Sequence, residues 1–393
     1  MKILGIESSC DETAAAVVED GRRLLSNVVH TQIDIHAQYG GVVPEVAARS
    51  HIEMINPVIN KALSDAGCSW DDIDAIAVTY APGLIGSLLV GTLAARTLAI
   101  THNKPLYAIH HVEAHVYANF VVEQRDPLDG SESGSTRRTG AESETVDTTT
   151  VSEPRSVQRS NHLSLPSRQP EFPMLALIVS GGHSQLVLFR DHGDYELLGQ
   201  TQDDAVGEAF DKVAKIIGLP YPGGPSIAKA AQSGDPHKYK LPKAKLDSPY
   251  NMSFSGLKTA LLRAVQAETG HDYTFPSHEL PALLDDAQRA DFAASFQQTA
   301  IETLVDKAER AFRDYSPASV VIAGGVAANQ ELRRQLSERL PITIEYAPMQ
   351  LCTDNAAMIA TLGYYVAQKK DPVDPYDVEV VPSLSMTKTA WAN

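Results

Sequence analysis

The feature that most constrains the fold is that the chain opens the same way twice. Residues 2–29 read KILGIESSCDETAAAVVEDGRRLLSNVV, and residues 174–200 read MLALIVSGGHSQLVLFRDHGDYELLGQ. Each is an apolar strand, a small polar turn, a second apolar strand, a polar turn with Gly, and a third strand. The turns SSCDET and SGGHSQ are the same kind of hairpin at the same place. Repetition of a unit that cannot cover its own apolar face predicts two related lobes, although two hairpins can also look alike by chance. Further strands are expected at 75–79, 106–109 and 320–323, and helices at 86–99, 207–217 and 291–314. Helices alternating with strands imply α/β layers.

Between the two openings, residues 121–171 contain no aromatic side chain and include the polar run SESGSTRRTGAESETVDTTTVSEP. Such a composition cannot bury enough apolar surface to offset the entropy of ordering it, so a disordered insert is expected there. The chain divides on this reading into an N-terminal lobe (1–120), the insert (121–171), a C-terminal lobe (172–365) and a tail (366–393). With 393 residues, 43% of them hydrophobic, two domains can each bury a core. Three cysteines without metal-finger spacing suit a reducing cytoplasm. The first residues turn acidic too soon for a secretory signal. The apolar stretch 82–100 carries glycines and Arg96, and reads as a buried helix rather than a membrane span. A net charge of −16 argues against tight nucleic-acid binding by the isolated chain, because phosphate contacts need basic groups.

In HHVEAH (110–115), His111 and His115 are four residues apart. On a helix their rings share one face and can grip one ion, or they are two unrelated histidines. A zinc-protease reading fails on spacing. Glu113 stands two residues from each histidine, about 200° around a helix, where H-E-x-x-H enzymes place the acid directly after the first His. Strands ending in Gly-rich turns, IVSGGHSQ (178–185) and VVIAGGVAAN (320–329), suit an anion or nucleotide, or are plain turns. PYPGGPS (220–226) reads as a rigid turn. Asp354 in CTDNAAM sits where a helix N-cap would be. Asp11 and Glu12 lie in a hairpin turn, where acids are common. Lys238, Lys240, Lys243, Lys245 and Lys258, interleaved with Tyr239, Tyr250 and Phe254, suit a nucleic-acid strand or a solvated loop.

The order of motifs is more specific than any one of them. ESSCDET, YGGVVPEVAARSH, APGLIGSLLVG, HHVEAH, LIVSGGHSQL, DDAVGEAFDKVAK, YPGGPS, SFSGLKT, AGGVAAN and CTDNAAMIA follow one another. In this the chain resembles the bacterial TsaD family, tRNA threonylcarbamoyladenosine transferases once labelled O-sialoglycoprotein endopeptidases. The resemblance spans about residues 1–120 and 172–365. It implies an α/β, duplicated actin-like/Hsp70-like (ASKHA) two-lobe fold. It implies transfer of a threonylcarbamoyl group from threonylcarbamoyl-AMP to the exocyclic amine of the adenosine beside the anticodon in tRNAs reading ANN codons.

The same resemblance implies one divalent ion, iron(II) or zinc, held by His111, His115 and Asp354. It places Ile178, Val179, Ser180, Gly181, Gly182, Asp211, Gly224 and Asn329 against the acyl-adenylate or ATP. It implies a catalytically inactive paralogue (TsaB-like), a small ATPase (TsaE-like) and tRNA as partners, in the cytoplasm and off the membrane. An aromatic amine is a poor nucleophile, so Asp11 or Glu12 is the candidate base. Two departures stand out. Ala81 replaces the usual Gly, which is a strain if that position needs positive φ, and the insert is far longer than usual. The competing readings are an ATP-dependent kinase or chaperone-type ATPase of the same superfold and a non-catalytic assembly partner. Phosphoryl transfer has no need of the histidine pair, and a dead paralogue has no use for a ligand set.

Overall fold

The computed structural model describes residues 1–122, 165–344 and 346–388. Its strands are β1 (Lys2–Glu7), β2 (Glu12–Glu19), β3 (Arg23–Thr31), β4 (Ala75–Ala81), β5 (Leu106–His110), β6 (Met174–Val179), β7 (Ser184–Asp191), β8 (Asp194–Gln200) and β9 (Ser319–Ala323). The helices of the first lobe are α1 (Ile33–Ala37), α2 (Pro44–Asp65), α3 (Ile85–His102) and α4 (His111–Tyr117). Those that follow are α5 (Val206–Ile217), α6 (Gly223–Ala231), α7 (Ser255–Glu268), α8 (Asp286–Tyr315), α9 (Gln330–Arg339), α10 (Met349–Cys352) and α11 (Ala356–Ala367).

The two openings fold alike. One sheet has the order β3-β2-β1-β4-β5 and the other β8-β7-β6-β9. In each, the first strand pairs antiparallel with the second and parallel with a strand reached through a helical crossover. The fold is the duplicated actin-like one. Alternation explains the layers of the first lobe. Leu4, Ile6, Ala15 and Val17 bury with Ile55, Val58 and Ile59 of α2 and Ala95 and Ala99 of α3. Ile3, Ala14, Ala16 and Val18 face the other way, into the larger core with Ala356, Ile359 and Ala360 of α11.

Helix α11 lies in the range expected for the C-terminal lobe, yet it packs across the first sheet. The approach is backbone to backbone. A Cβ on Gly5 would stand 2.3 Å from Ala356 O, and one on Gly363 would stand 2.5 Å from Ala77 Cβ. The residues after α11 also return to the first lobe. Val373 N–H donates to Leu106 O (2.9 Å) and Val381 N–H to Tyr80 O (3.0 Å). The Arg96 guanidinium donates to the carbonyls of Pro375, Tyr376 and Val378. Tyr195 O–H on β8 then donates to Met386 O (2.5 Å), so the tail ties both lobes.

Among the described residues α3 is long and apolar enough to cross a bilayer. It packs one face on β4 and α2 instead, and leaves Ile85, Leu89 and Leu93 exposed along the other. Ala81 closes β4 opposite His110, fully buried and with negative φ, so the missing glycine carries no strain. Of the insert expected to be disordered over 121–171, residues 123–164 lie outside the described residues, whereas Val121 and Leu165 at its described ends pack into the core, because both are apolar. Its flanks are tied in. Val122 N–H donates to Arg22 O (3.1 Å), and Gln169 Nε2 donates to Phe120 O and Tyr365 Oη (both 2.9 Å).

Candidate active site

Strand β5 runs directly into α4, whose first turn is capped by the His110 ring: Nδ1 accepts Glu113 N–H at 3.3 Å. Every residue of this seven-residue helix is buried. His111 and His115 stand one turn apart with ring centroids 4.6 Å apart. Facing them is Asp354, just ahead of α11. The residue that caps α11 is Asn355, not Asp354 as the sequence suggested: its Oδ1 accepts Met358 N–H at 3.1 Å. Capping by its neighbour leaves the Asp354 carboxylate to the histidines. Asp354 Oδ1 lies 3.2 Å from His115 Nε2 and 3.6 Å from His111 Nε2.

The three residues offer ligand atoms within 4.8 Å of one another. Atoms about 2.1 Å from a shared tetrahedral ion are roughly 3.4 Å apart, which the two contacts of Asp354 bracket. Neither ring nitrogen of His115 makes a well-formed hydrogen bond, although the side chain is buried. A buried polar atom so placed costs about 1–3 kcal/mol unless something meets it. The field is also right for a cation. Burial opposes charge on His111, yet the Asp354 and Glu7 carboxylates outweigh it and push the imidazole up to about 9. Burial likewise opposes charge on Asp354, and His111 and His115 hold its carboxyl well below the usual carboxylate range. A metal ion would take the place of the proton that this field favours. Glu113 is fully buried and outside the trio, and its charge, after burial, pushes up the hydroxyls of Tyr80 and Tyr117.

The Gly-rich turns of the second lobe close on the same place. After β6, Ser180 N–H donates to His183 O at 2.8 Å, with Gly181 and Gly182 exposed at the tip and open space where Cβ atoms would be. Two other glycines let the chain crowd this turn. A Cβ on Gly207 would meet Ser180 O at 2.5 Å, and one on Gly324, whose φ is +88°, would meet Val179 O at 2.5 Å. A Cβ on Gly325 would stand 4.0 Å from the methyl of Thr353, which precedes Asp354. His183 lies within electrostatic reach of the trio: burial first, then the charges of His111 and His115, pull its imidazole down to about 4.

Ile178 and Val179 are buried core residues of β6, which pairs with β7 on one side and β9 on the other, so neither side chain faces a ligand. Asp211 on α5 accepts Gly223 N–H at 2.7 Å, which holds the PYPGGPS turn, and Gly224 beside it faces open space. Asn329 caps α9 by accepting Leu332 N–H (3.1 Å) and donates to Gln297 (2.9 Å), so both ends of its amide are engaged. The helix expected right after Gly324-Gly325 is delayed by a single 3-10 turn, Gly325–Ala328.

Asp11 ends the β1–β2 turn, and Glu12 opens β2 beside it. Buried His51 fixes the turn: Nδ1 pairs with Thr13 Oγ1 at 2.7 Å and Nε2 with Cys10 O at 2.9 Å. Burial, then Asp11 and Asp354, push the Glu12 carboxyl well above its usual range. After burial, the charge of Asp11 in turn reaches Asp211 and Tyr221 of the second lobe. The acidic turn thus lies within electrostatic reach of both Asp354 of the trio and the Asp211 turn of the second lobe.

The lysine cluster is not part of it, and its aromatics are not free. Tyr239 stacks on Phe292 at 3.9 Å, Tyr250 donates to Asp314, and Phe254 is fully buried. Lys243 is paired with Glu302 and Asp306, and Lys258 with Asp204, which leaves Lys238, Lys240 and Lys245 exposed without such pairs among the described residues. Sequence reasoning missed Glu7, Ser9, Thr79 and His183. The one signal for Glu7 was an acid closing an otherwise apolar strand, KILGIE.

Two sheets of one topology make this a two-lobed α/β protein of the actin-like ATPase superfold. The crystal structure of full-length HypF in its phosphate- and nucleotide-bound form shares this fold, with a TM-score of 0.50 at 12% identity over 93% of this chain and 46% of that one. The chain belongs to the TsaD family, the tRNA N6-adenosine threonylcarbamoyltransferases, which it matches over residues 23–133 and 151–361. A relative of that name from Thermomicrobium roseum is 47% identical, covering 94% of this chain and 93% of its own. Those of Symbiobacterium thermophilum and Bacillus subtilis are 46% and 42% identical, each covering 98% of this chain and 96% of its own.

Proposed function

We propose that this chain transfers the threonylcarbamoyl group of threonylcarbamoyl-AMP to the exocyclic amine of the adenosine adjacent to the anticodon in tRNAs reading ANN codons. The observation that carries this is likeness to one transferase family along both lobes and nearly the whole chain. In the step, the amine nitrogen bonds to the carbamoyl carbon, the bond from that carbon to the AMP phosphate oxygen breaks, and the amine loses a proton. The donor is already activated, so the protein's task is to orient two substrates and to stabilise charge.

The exposed backbone of Gly181 and Gly182, in a turn braced by Ser180, and the turn at Gly224 would cradle the adenylate, with Asp211 setting that second turn. Asn329 contributes by starting α9 rather than with a free amide. Asp11 and Glu12 are the alternative acceptors of the departing proton. His111, His115 and Asp354 would hold one divalent ion. Such an ion supplies Lewis acidity at the carbamoyl oxygen or an anchor for the threonyl carboxylate. Two imidazoles and a carboxylate suit iron(II) and zinc alike. The acidity of the chain calls for help with tRNA. The apolar stripe Ile85, Leu89, Leu93 on α3, next to exposed Ile52 on α2, is the surface we assign to a TsaB-like partner, with a TsaE-like ATPase completing a cytoplasmic assembly. A kinase or chaperone-type ATPase could use the same fold, but would leave the buried histidine pair without a role.

The test is transfer of label from threonylcarbamoyl-AMP to unmodified tRNA by the chain with its partners. Wild type should label the tRNA, and Asp354→Asn should label it on the order of 100-fold more slowly. No labelling by wild type would contradict the transferase reading. Equal labelling by Asp354→Asn would remove the trio from the mechanism.

A further inference from the structure

We infer that Glu7 is a positioning residue that selects which nitrogen of His111 faces the ion. The inference rests on the trio being the ligand set. Glu7 ends β1 with its side chain fully buried. Its Oε1 accepts Ser9 N–H at 2.5 Å, and its Oε2 accepts Thr79 O–H at 2.5 Å. The same Oε2 lies 3.0 Å from His111 Nδ1. An ionised carboxylate has only lone pairs to offer, so the hydrogen bond exists only if Nδ1 carries the proton. Neutral His111 then keeps its lone pair on Nε2, the nitrogen that faces Asp354. The other tautomer would set two lone pairs against each other at Nδ1 and point an N–H into the place of the ion. Ser9 Oγ, 3.1 Å from Nδ1, is a second acceptor for the same proton.

The donors from Ser9 and Thr79 lock the carboxylate in turn, so the arrangement runs from β4 through Glu7 to the ligand. A carboxylate behind a ligating imidazole fixes its orientation and raises its basicity. His115 has no such carboxylate behind it among the described residues: its Nδ1 meets no partner, and its Nε2 faces Asp354 at 3.2 Å. The two histidines should therefore differ in how they are held: His111 by charge-assisted bonding at Nδ1, His115 with no hydrogen bond behind its ring.

The test is zinc affinity of the full-length chain, with zinc as the probe. Glu7→Gln keeps the shape but offers an amide that can donate to Nδ1, and should weaken zinc binding on the order of 10–100-fold. Thr79→Val, which removes a donor to Glu7 and leaves every ligand in place, should weaken it less and in the same direction. In zinc-loaded wild type, nitrogen-15 spectra of the histidines should show a His111 Nδ1–H that exchanges slowly with solvent, and the signal should exchange fast or vanish in Thr79→Val. Unchanged zinc affinity in both variants, or a His111 bound to zinc through Nδ1, would overturn the inference. A His111→Ala, His115→Ala double variant that keeps its zinc would overturn the ligand assignment itself, a result distinguishable from the first.

Discussion

Asp354 and Asn355 are both residues that cap helices, and the backbone register decides between them. Asn355 takes the first turn of α11, and Asp354 is left 3.2 Å from His115. The sequence could not settle this, because either residue satisfies the capping preference; only the family resemblance put Asp354 with the histidines. The pair itself was legible from spacing, since a separation of four needs only a helix to align two rings. Glu7 was not, because its partners Thr79 and His111 come from β4 and α4, far along the chain. At this scale the prediction concerns metal. Replacing His111 and His115 together by Ala should abolish bound metal, measured by elemental analysis, while the circular dichroism spectrum persists. Metal content equal to wild type would contradict the assignment.

Among the elements, α11 carries the most consequence, because it delivers Asp354 while lying on the sheet that delivers the histidines. Its fit depends on Gly5, where even a methyl would press on Ala356 O. Gly5→Ala should cost about 1–3 kcal/mol in urea unfolding and should weaken metal binding, because the start of α11 must move. An unchanged unfolding midpoint would show that the contact relaxes freely. Strands and long helices were legible from periodicity, and the repeated hairpins from their matching turns. The placement of α11 was not, since its apolar composition suits either lobe. The lysine loop shows the converse: its composition promised stacking aromatics, and the structure spends them on Phe292 and Asp314. Changing Lys238, Lys240 and Lys245 to Ala should flatten the logarithmic salt dependence of tRNA binding by about 2, at about 0.7 per single-strand phosphate contact. An unchanged slope would leave docking to a partner's surface.

On the scale of the molecule, four segments meet between the lobes, where Tyr117, Phe120, Phe172, His192 and Tyr365 pack ring on ring. No local pattern announces such a cluster, which explains why two lobes were legible in the sequence but not their joint. His192 stacks on Tyr365 at 3.8 Å, and burial pulls its imidazole down from the ordinary 6.5 to about 4. The folded protein thus keeps it neutral while the unfolded chain gains a proton below 6.5. Its contribution to stability is present above that value and is lost as pH falls towards about 4. His192→Phe keeps the stack and has no proton to gain, so the gap in urea midpoint between wild type and variant should shift in favour of the variant from pH 7 to pH 4.5. Parallel pH curves would contradict this reading. The central claim is tested most directly by nucleoside mass analysis of two unmodified tRNAs, one reading ANN codons and one not, after incubation with the chain, its partners and threonylcarbamoyl-AMP. The account predicts a threonylcarbamoyl mass on the adenosine adjacent to the anticodon of the first tRNA alone, with AMP released; unchanged nucleosides in both, with ATP consumed and a phosphoryl group transferred when ATP is supplied instead, would contradict it.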